Sequence, residues 1–560
     1  MNLKKIYKTF PALLLISVLL FGCKKYEPEP LEALTEDIVF DRMDIQGTYA
    51  DRALTNLYTF LPTGFNRIDN SFLDAATDDA VSSEQSNNIE ILSQALQSPT
   101  QTIDDNFANA YTGIYRANLF LSKINSVPVI DATKQTWKSE ARFIRAMLYF
   151  ELVKRYGGVP LLSDKVLMLN DDLSLPRNTF TECVQYIVLE CDAISGLLKK
   201  EPVTATETGR ITQGTALALK SRILLYAASP LNNPANDAAK WLAAANAAKA
   251  VIDLNYYALN ASFVTAFITR ASNREVILAF QQPTGSNLER ALAPVGYQNL
   301  NNSNGLISPT EDLVEVFPTI NGKAISTDTK TPANPTGFDP DNPYANRDPR
   351  FNATIFYNGS LWLGRAVETF EGGRDKPGGI QTQTRTGYYL RKFLPDLSTA
   401  SNYSAQDHNF IIFRYAEILL NDAEGLNETE DAVANRTNAY NQLIALRKRV
   451  GITAGADALY GLKANMTQAE MRDAIKLERR IELAFEEHRF WDVRRWKTAE
   501  ADFNKILRGV SITRSGTGVF TYQTIKIAPI KFIAPQMYLY PLPFSELLKN
   551  KALTQNPGWQ

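Results

Sequence analysis

From Glu478 to Arg495, carboxylates and guanidinium groups recur at three- and four-residue steps. On one helix that spacing puts them on adjacent turns, where they could exchange protons or simply pair. Glu486 with Arg489 and Asp492 with Arg495 are pairs the spacing allows, and a structural ion-pair network accounts for them without catalysis. Glycoside hydrolysis needs two carboxylates a fixed distance apart across a sugar. The acidic doublets Asp78-Asp79, Asp104-Asp105, Asp171-Asp172 and Glu486-Glu487 do not supply this, because adjacent helical residues do not face one another. With 60 acids in 560 residues, such doublets arise by chance. His408 and His488 stand in no serine or cysteine triad context, and no glycine-rich phosphate loop follows a strand. Asp339-Pro340-Asp341-Asn342 lacks the turn glycine and closing glutamate of a calcium loop. Two histidines and three cysteines leave no soft-ligand metal cluster to assemble. Binding rather than catalysis is therefore expected, with no catalytic residue, no metal and no cofactor.

A protein that holds sugar without cutting it needs aromatic faces for the pyranose rings, and amides, carboxylates or guanidinium groups for the hydroxyls. Both kinds concentrate in one stretch: Tyr297, Tyr357, Trp362, Tyr388 and Tyr389, with Asn299, Asn301, Asn302 and Arg365 nearby. An earlier loop around Phe65, Asn66, Phe72, Asp78 and Asp79 is a second contributor by position. The ligand-binding positions expected are Tyr297, Asn299, Tyr357, Trp362, Arg365, Tyr388, Tyr389, Phe65, Asn66 and Asp78.

The elements that must position them are mostly helical. Phe107, Tyr111, Ile114, Asn118, Leu121 and Ile124 repeat at helical steps between Asp105 and Val127, and Pro128 follows. Trp137 to Tyr156 repeats the pattern and stops at Gly157-Gly158 with Pro160 beyond, as a helix end requires. Thr179 to Leu198 reads as one helix. On it Cys183 and Cys191 lie about 12 Å apart, too far for a disulfide, so both are expected to be buried and inert. Ile211 to Ser229 and Asp237 to Leu254 form a pair with small facing residues, the logic of a tetratricopeptide-like repeat. Phe413 to Asn427 and Arg436 to Val450 make another, and one long charged helix is expected from Gln468 to Lys497. Between Gln281 and Asn409 the texture turns to Asn, Gly, Pro and Thr with short β-like runs, Thr354 to Tyr357 and Tyr388 to Phe393. A long irregular segment inside a folded body is usually functional or disordered. The stretch from Thr521 to Pro543 reads as a β-rich tail packed on the helical body.

The ends set the compartment. Lys4, Lys5 and Lys8 precede an apolar run from Pro11 to Phe21, the grammar of a secretory signal, and the run is shorter than the roughly 20 residues that span a bilayer. Leu20-Phe21-Gly22-Cys23 resembles the bacterial lipobox, so Cys23 is the expected acylation site and lipid the only membrane attachment. Losing the three leader lysines takes the net charge from −1 to about −4. That leaves no basic face for nucleic acid or anionic headgroups.

Several blocks resemble the SusD/RagB family in chain order. They are Tyr111-Thr112-Gly113-Ile114-Tyr115-Arg116-Ala117-Asn118, then Ala141 to Ala146 through Tyr156-Gly157-Gly158-Val159-Pro160-Leu161, then Asn346 to Phe351 with Tyr357-Asn358-Gly359 and Trp362. Arg414 to Leu420 with Ala423-Glu424, Glu478 to Glu486 with Arg489 to Trp496, Tyr540 to Pro543 and Gln555 to Trp559 continue the series. Phe107 stands where the family often has tryptophan, and Glu487-His488 where a glycine is common. The resemblance implies a mainly α fold of tetratricopeptide-like helix pairs with an irregular ligand-facing half. It implies a signal over 1–22, a lipidated tether over 23–40 and a single domain over 41–560. Within that domain the scaffold would run 100–270 and 410–500, the ligand-facing insert 281–409 and the β-rich tail 510–560. It also implies outer-membrane anchoring and a TonB-dependent, SusC-like barrel as partner, with an oligosaccharide as cargo. An oligopeptide cargo, or an envelope scaffold without small ligand, is the alternative.

Overall fold

The computed structural model describes residues 36–201, 207–300, 304–325, 336–379, 382–401 and 403–559. The leader, Cys23 and most of the tether lie outside the described residues, as do the side chains of residues 298–300. Ten helices carry the body: α1 (Thr48–Leu57), α2 (Phe107–Lys123), α3 (Asp131–Tyr156), α4 (Phe180–Ser195), α5 (Gln213–Ala228), α6 (Ala238–Ile252), α7 (Tyr415–Thr429), α8 (Val433–Arg449), α9 (Gln468–Glu482) and α10 (His488–Arg495). From α2 to α8 each packs on the next, and α9 returns onto α7. The molecule is mainly helical with a few short strands.

Local chemistry explains the boundaries. The side chain of Thr179 caps α4 at Glu182, which reaches back to the Thr179 backbone, and Thr467 with Glu470 does the same for α9. Gly157, at φ 73, closes α3. That helix begins six residues ahead of the expected Trp137, because its first turns are exposed and show no apolar stripe until Ser139. Cys183 and Cys191 are buried and unpaired on α4.

The long helix expected from Gln468 to Lys497 is broken instead into α9 and α10, with Phe485 (φ 62) and Glu487 (φ 63) in left-handed backbone between them. Broken helices expose carbonyl oxygens that need donors. Here the Lys392 ammonium donates to the carbonyls of Glu482 (3.1 Å) and Ala484 (2.7 Å), and Arg414 donates to Glu482 (2.8 Å). Periodicity alone cannot reveal a break that two cations from distant parts of the chain satisfy.

Packing of α6 directly against α7 makes everything between them an insertion into the helix stack. Its base is an antiparallel strand pair, Val276–Gly285 with Gln406–Arg414, in which Gln281 sits opposite Asn409, the expected limits of the insert. Within the insert, Ile355–Phe356 pairs with Tyr389–Leu390, and Ile307–Pro309 reaches out to Ala80–Ser82 of the early loop.

The C-terminal stretch departs from expectation in part. Lys505–Arg514 and Phe520–Ile530 form an antiparallel hairpin that packs on the insert, while Leu507 and Ile530 at its base cluster with Val493 of α10. Val510 donates its N–H to the Thr386 carbonyl (2.8 Å), and Glu371 donates to Ile512 (2.8 Å). Gly387 makes the approach possible: at φ 86, its missing side chain would meet the Val510 carbonyl at 2.5 Å. The following segment runs back along the helices: Phe532 lies under Arg494 (5.2 Å) and Tyr540 meets Trp491 (5.6 Å), while the Arg177 guanidinium donates to Asn556 and Thr554, and the Tyr540 hydroxyl donates to Asp104.

Candidate functional site

The aromatic residues expected to meet ligand form, in large part, the floor of the insert. Trp362 is fully buried, its ring edge-on to Tyr297 (5.6 Å between centroids) and tilted against Phe356 (5.0 Å). Tyr297 is 1% exposed. Its hydroxyl donates to the Trp362 carbonyl (2.8 Å), and the Arg365 guanidinium lies 3.7 Å from its ring centroid. Arg365 is half-buried and held by the Asp375 carboxylate at 2.7 and 2.9 Å. Tyr389 donates to the Asp375 carbonyl and Tyr388 to the Glu311 carboxylate, each at 2.6 Å, and both rings are buried. Burial drives the Tyr388 hydroxyl well above its ordinary pKa, reinforced by Tyr344 and Glu311, so it stays a donor.

Phe65 is buried among Phe72, Phe393 and Phe410 at 4.9 to 6.2 Å. Asp78 is buried too. It accepts from Arg489 at 2.9 and 3.0 Å, and Arg480 and Lys505 each come within 3.1 Å. These side chains take packing and pairing roles. An aromatic that fills a core position leaves no face for a sugar. Tyr357 and Asn66 remain half-buried at the surface. The Asn299 side chain, with Asn301 and Asn302, falls outside the described residues.

Rings that do reach the surface form a continuous band where the hairpin lies on the insert. Tyr357 packs on buried Tyr344 (4.5 Å), and Tyr344 meets Tyr522 edge-on (5.6 Å). The Asn358 oxygen accepts from the Thr369 N–H (3.2 Å), and the next residue, Phe370, packs on Phe520 (5.6 Å), which shares a strand face with Tyr522. Tyr357, Phe370, Phe520 and Tyr522 are all half-buried. Polar groups edge the band. Arg514 is exposed with its guanidinium 5.5 Å from Phe370 and 5.9 Å from Phe520, and Glu371 is held by Lys376 (2.8 Å) and Ser511 (2.9 Å). Partial burial pushes the Glu371 carboxyl up, but those two hydrogen bonds overcome it and hold the pKa below its ordinary value. Burial raises Tyr522, with Asn358 opposing. The band therefore presents neutral phenols, flat rings, a carboxylate and a guanidinium.

Phe370, Phe520 and Tyr522 were not among the expected positions. One signal was legible: Phe520 and Tyr522 alternate with polar residues, so they share a face of one strand. Nothing in the sequence says that this face lies on the insert.

The buried carboxylates at the end of α9 and in the break after it are committed to ion pairs. Glu478, Glu482 and Glu486 are buried and saturated by Arg350, Arg414, Arg447, Arg449 and Lys392. Burial would raise them, yet these cations hold all three below the ordinary carboxylate range. Asp492 pairs with Arg495 (2.8 Å) as the spacing allows, whereas Glu486 turns to Arg414 and Lys392 and leaves Arg489 to Asp78.

A stack of helix pairs carrying a loop-built, ring-lined face defines a helical-repeat binding protein. The chain belongs to the SusD family, whose model matches residues 274–559. A second family model, described as starch-binding associating with outer membrane, matches residues 42–225. A SusD-like protein, P38, of Formosa agariphila is 23% identical over 80% of this chain and 78% of its own. A SusD-like protein of Bacteroides fragilis has a crystal structure that superposes with a TM-score of 0.78 at 26% identity, covering 95% of this chain and all of that one. A SusD-like carbohydrate-binding protein of the same species shares the fold at TM-score 0.74 and 24% identity, over 90% and 99% of the two chains.

Proposed function

We propose that this protein captures an extracellular oligosaccharide on its ring band and passes it to a TonB-dependent, SusC-like outer-membrane barrel, held at the cell surface by lipid on Cys23. The observation that carries the reading is the band itself. Half-buried rings, with a guanidinium and a carboxylate at their edges, match the alternation of apolar faces and hydroxyl rims on a sugar chain. Membership of the SusD family supports it, as does the carbohydrate binding attributed to the B. fragilis relative. Binding energy that favours the protein closed over its transporter would couple capture to delivery. The ion pairs that hold buried Glu478, Glu482 and Glu486 support capture without cleavage.

The chain from residue 24 onward tests this by affinity electrophoresis and calorimetry against neutral polysaccharides and peptide digests, with product analysis of the same samples. Saturable binding of one glycan class without cleavage is expected. Phe520→Ala and Tyr522→Ala should each weaken it by about 1–3 kcal/mol, in the range of a lost stacking contact, while melting stays near that of the parent. Peptide binding alone would replace the cargo, and cleaved product would overturn the reading.

A further inference from the structure

Away from the ring band, a cavity of about 380 Å³ opens where the entry to α5 meets the base of the long strand pair. Its size is that of a small-ligand site. Tyr257 forms one wall, its hydroxyl hydrogen-bonded to Thr212 (3.1 Å) and its ring edge-on to half-buried Tyr256 at 5.0 Å. Three arginines line the same space. Arg210 is matched by Asp51 (2.6 Å) and Glu140 (2.9 Å). Arg270 has one loose carboxylate, Asp407 at 3.4 Å, donates to the Gln282 carbonyl, and keeps its Nε buried with no partner. Arg274 pairs with no carboxylate among the described residues. It donates to the backbone carbonyls of Tyr256 (2.6 Å) and Asn255 (3.4 Å), and its guanidinium lies 5.2 Å from the Tyr256 ring. Glu201 stands near enough to add to the burial that raises the Tyr256 hydroxyl above its ordinary pKa.

The cavity lining thus includes three arginines and no carboxylate, and of the three Arg274 makes no ion pair among the described residues. Guanidinium forks match the planar oxygens of a carboxylate or sulfate, and a lysine would not. The half-buried ring of Tyr256 beside them suits a sugar body, and the Gln281 side chain at the wall supplies an amide for a hydroxyl.

We propose that this cavity is a second glycan subsite, selective for a sugar carrying an anionic group, either a uronic acid carboxylate or a sulfate ester. The proposal rests on the glycan-capture reading and adds a charge preference at a different place.

Calorimetry on the chain from residue 24 onward, at low and high salt, would compare a neutral trisaccharide with a uronic acid and a sulfate-bearing trisaccharide. At least one anionic sugar should bind about tenfold tighter than the neutral one at low salt, with the margin shrinking as salt rises. The better of the two identifies the anion. Arg274→Ala should remove the margin and leave neutral binding intact, and Arg274→Lys should restore only part of it. Gln281→Ala gives a second, uncharged probe of the same wall, expected to weaken the anionic sugar severalfold. Equal binding of neutral and anionic sugars, or an anionic preference that survives Arg274→Ala, overturns the subsite and leaves the ring band standing. If none of the three sugars binds, the subsite and the capture reading fall together.

Discussion

Residue types identify what a side chain could do, and burial decides whether it does. Trp362 and Tyr297 have the chemistry of a sugar platform, yet each spends its ring and polar atom inside the insert. Trp362→Ala should therefore cost about 3–5 kcal/mol of stability through the cavity it leaves, read as a lowered denaturant midpoint. A variant that melts like the parent but loses glycan would return Trp362 to the binding surface. Asp74 shows the same logic with a charge. It is fully buried, and neither carboxylate oxygen has a hydrogen-bond partner. Burial, then repulsion from Asp79 and Glu487, raises its pKa well above the ordinary value. A carboxyl raised on folding binds its proton more tightly in the folded state. Its contribution to stability is thus complete below the unfolded value near 4 and declines by about 1.4 kcal/mol per pH unit above it, until the folded pKa is passed. Asp74→Asn removes that decline. Thermal unfolding should show the variant more stable than the parent at pH 7 and level with it near pH 4; a gain independent of pH would rule the explanation out.

The elements were legible to the extent that their causes are local. Helices α2 to α8 follow from apolar spacing, caps and glycine stops, all written within one turn of where they act. The break between α9 and α10 was not legible, because the groups that satisfy it, Lys392 and Arg414, come from the insert and from the strand that closes it. The hairpin was likewise readable as β structure but not as a wall of the insert, since that placement depends on glycine contacts such as Gly387 on Val510. The ring band went unread for the same reason. Half its members lie in the insert and half in the hairpin, more than 100 residues apart in sequence. Close packing of α6 on α7, which turns the insert into an insertion, also depends on one residue. A side chain at Gly425 would stand 2.9 Å from the Ala245 nitrogen and 3.0 Å from its Cβ. Backbone cannot yield as a flexible side chain does, so Gly425→Val should overpack this seam and cost about 1–3 kcal/mol. Chemical denaturation measures it, and an unchanged midpoint would mean that the two helices can separate freely.

Across the whole molecule, remote segments meet at buried charge rather than at a single apolar seam. Asp78 lies at the end of the early loop, and its carboxylate receives Arg480 from α9, Arg489 from α10 and Lys505 from the hairpin. Burial alone would raise its pKa, but the guanidinium groups of Arg480 and Arg489 overcome that and hold it far below the ordinary range. The early loop, the broken helix and the wall of the ring band are thereby tied to one side chain. Removing the charge leaves three cations facing a neutral amide, and breaking one side of a buried pair typically costs about 3–5 kcal/mol. Asp78→Asn should therefore lower stability at pH 7 by that order. Because the folded pKa is depressed, the contribution is complete above the unfolded value near 4 and is lost as pH falls through the folded one, so the penalty of the variant should narrow below about pH 4. Hydrogen exchange adds the spatial readout. Amides of Ala80–Ser82, of α10 and of Lys505–Arg514 should lose protection together in the variant, while α5 and α6, which have no part in the cluster, should hold theirs. Loss confined to the early loop would show that the hairpin is anchored to the insert by its own contacts, and that ligand-facing wall and helix stack are mechanically independent.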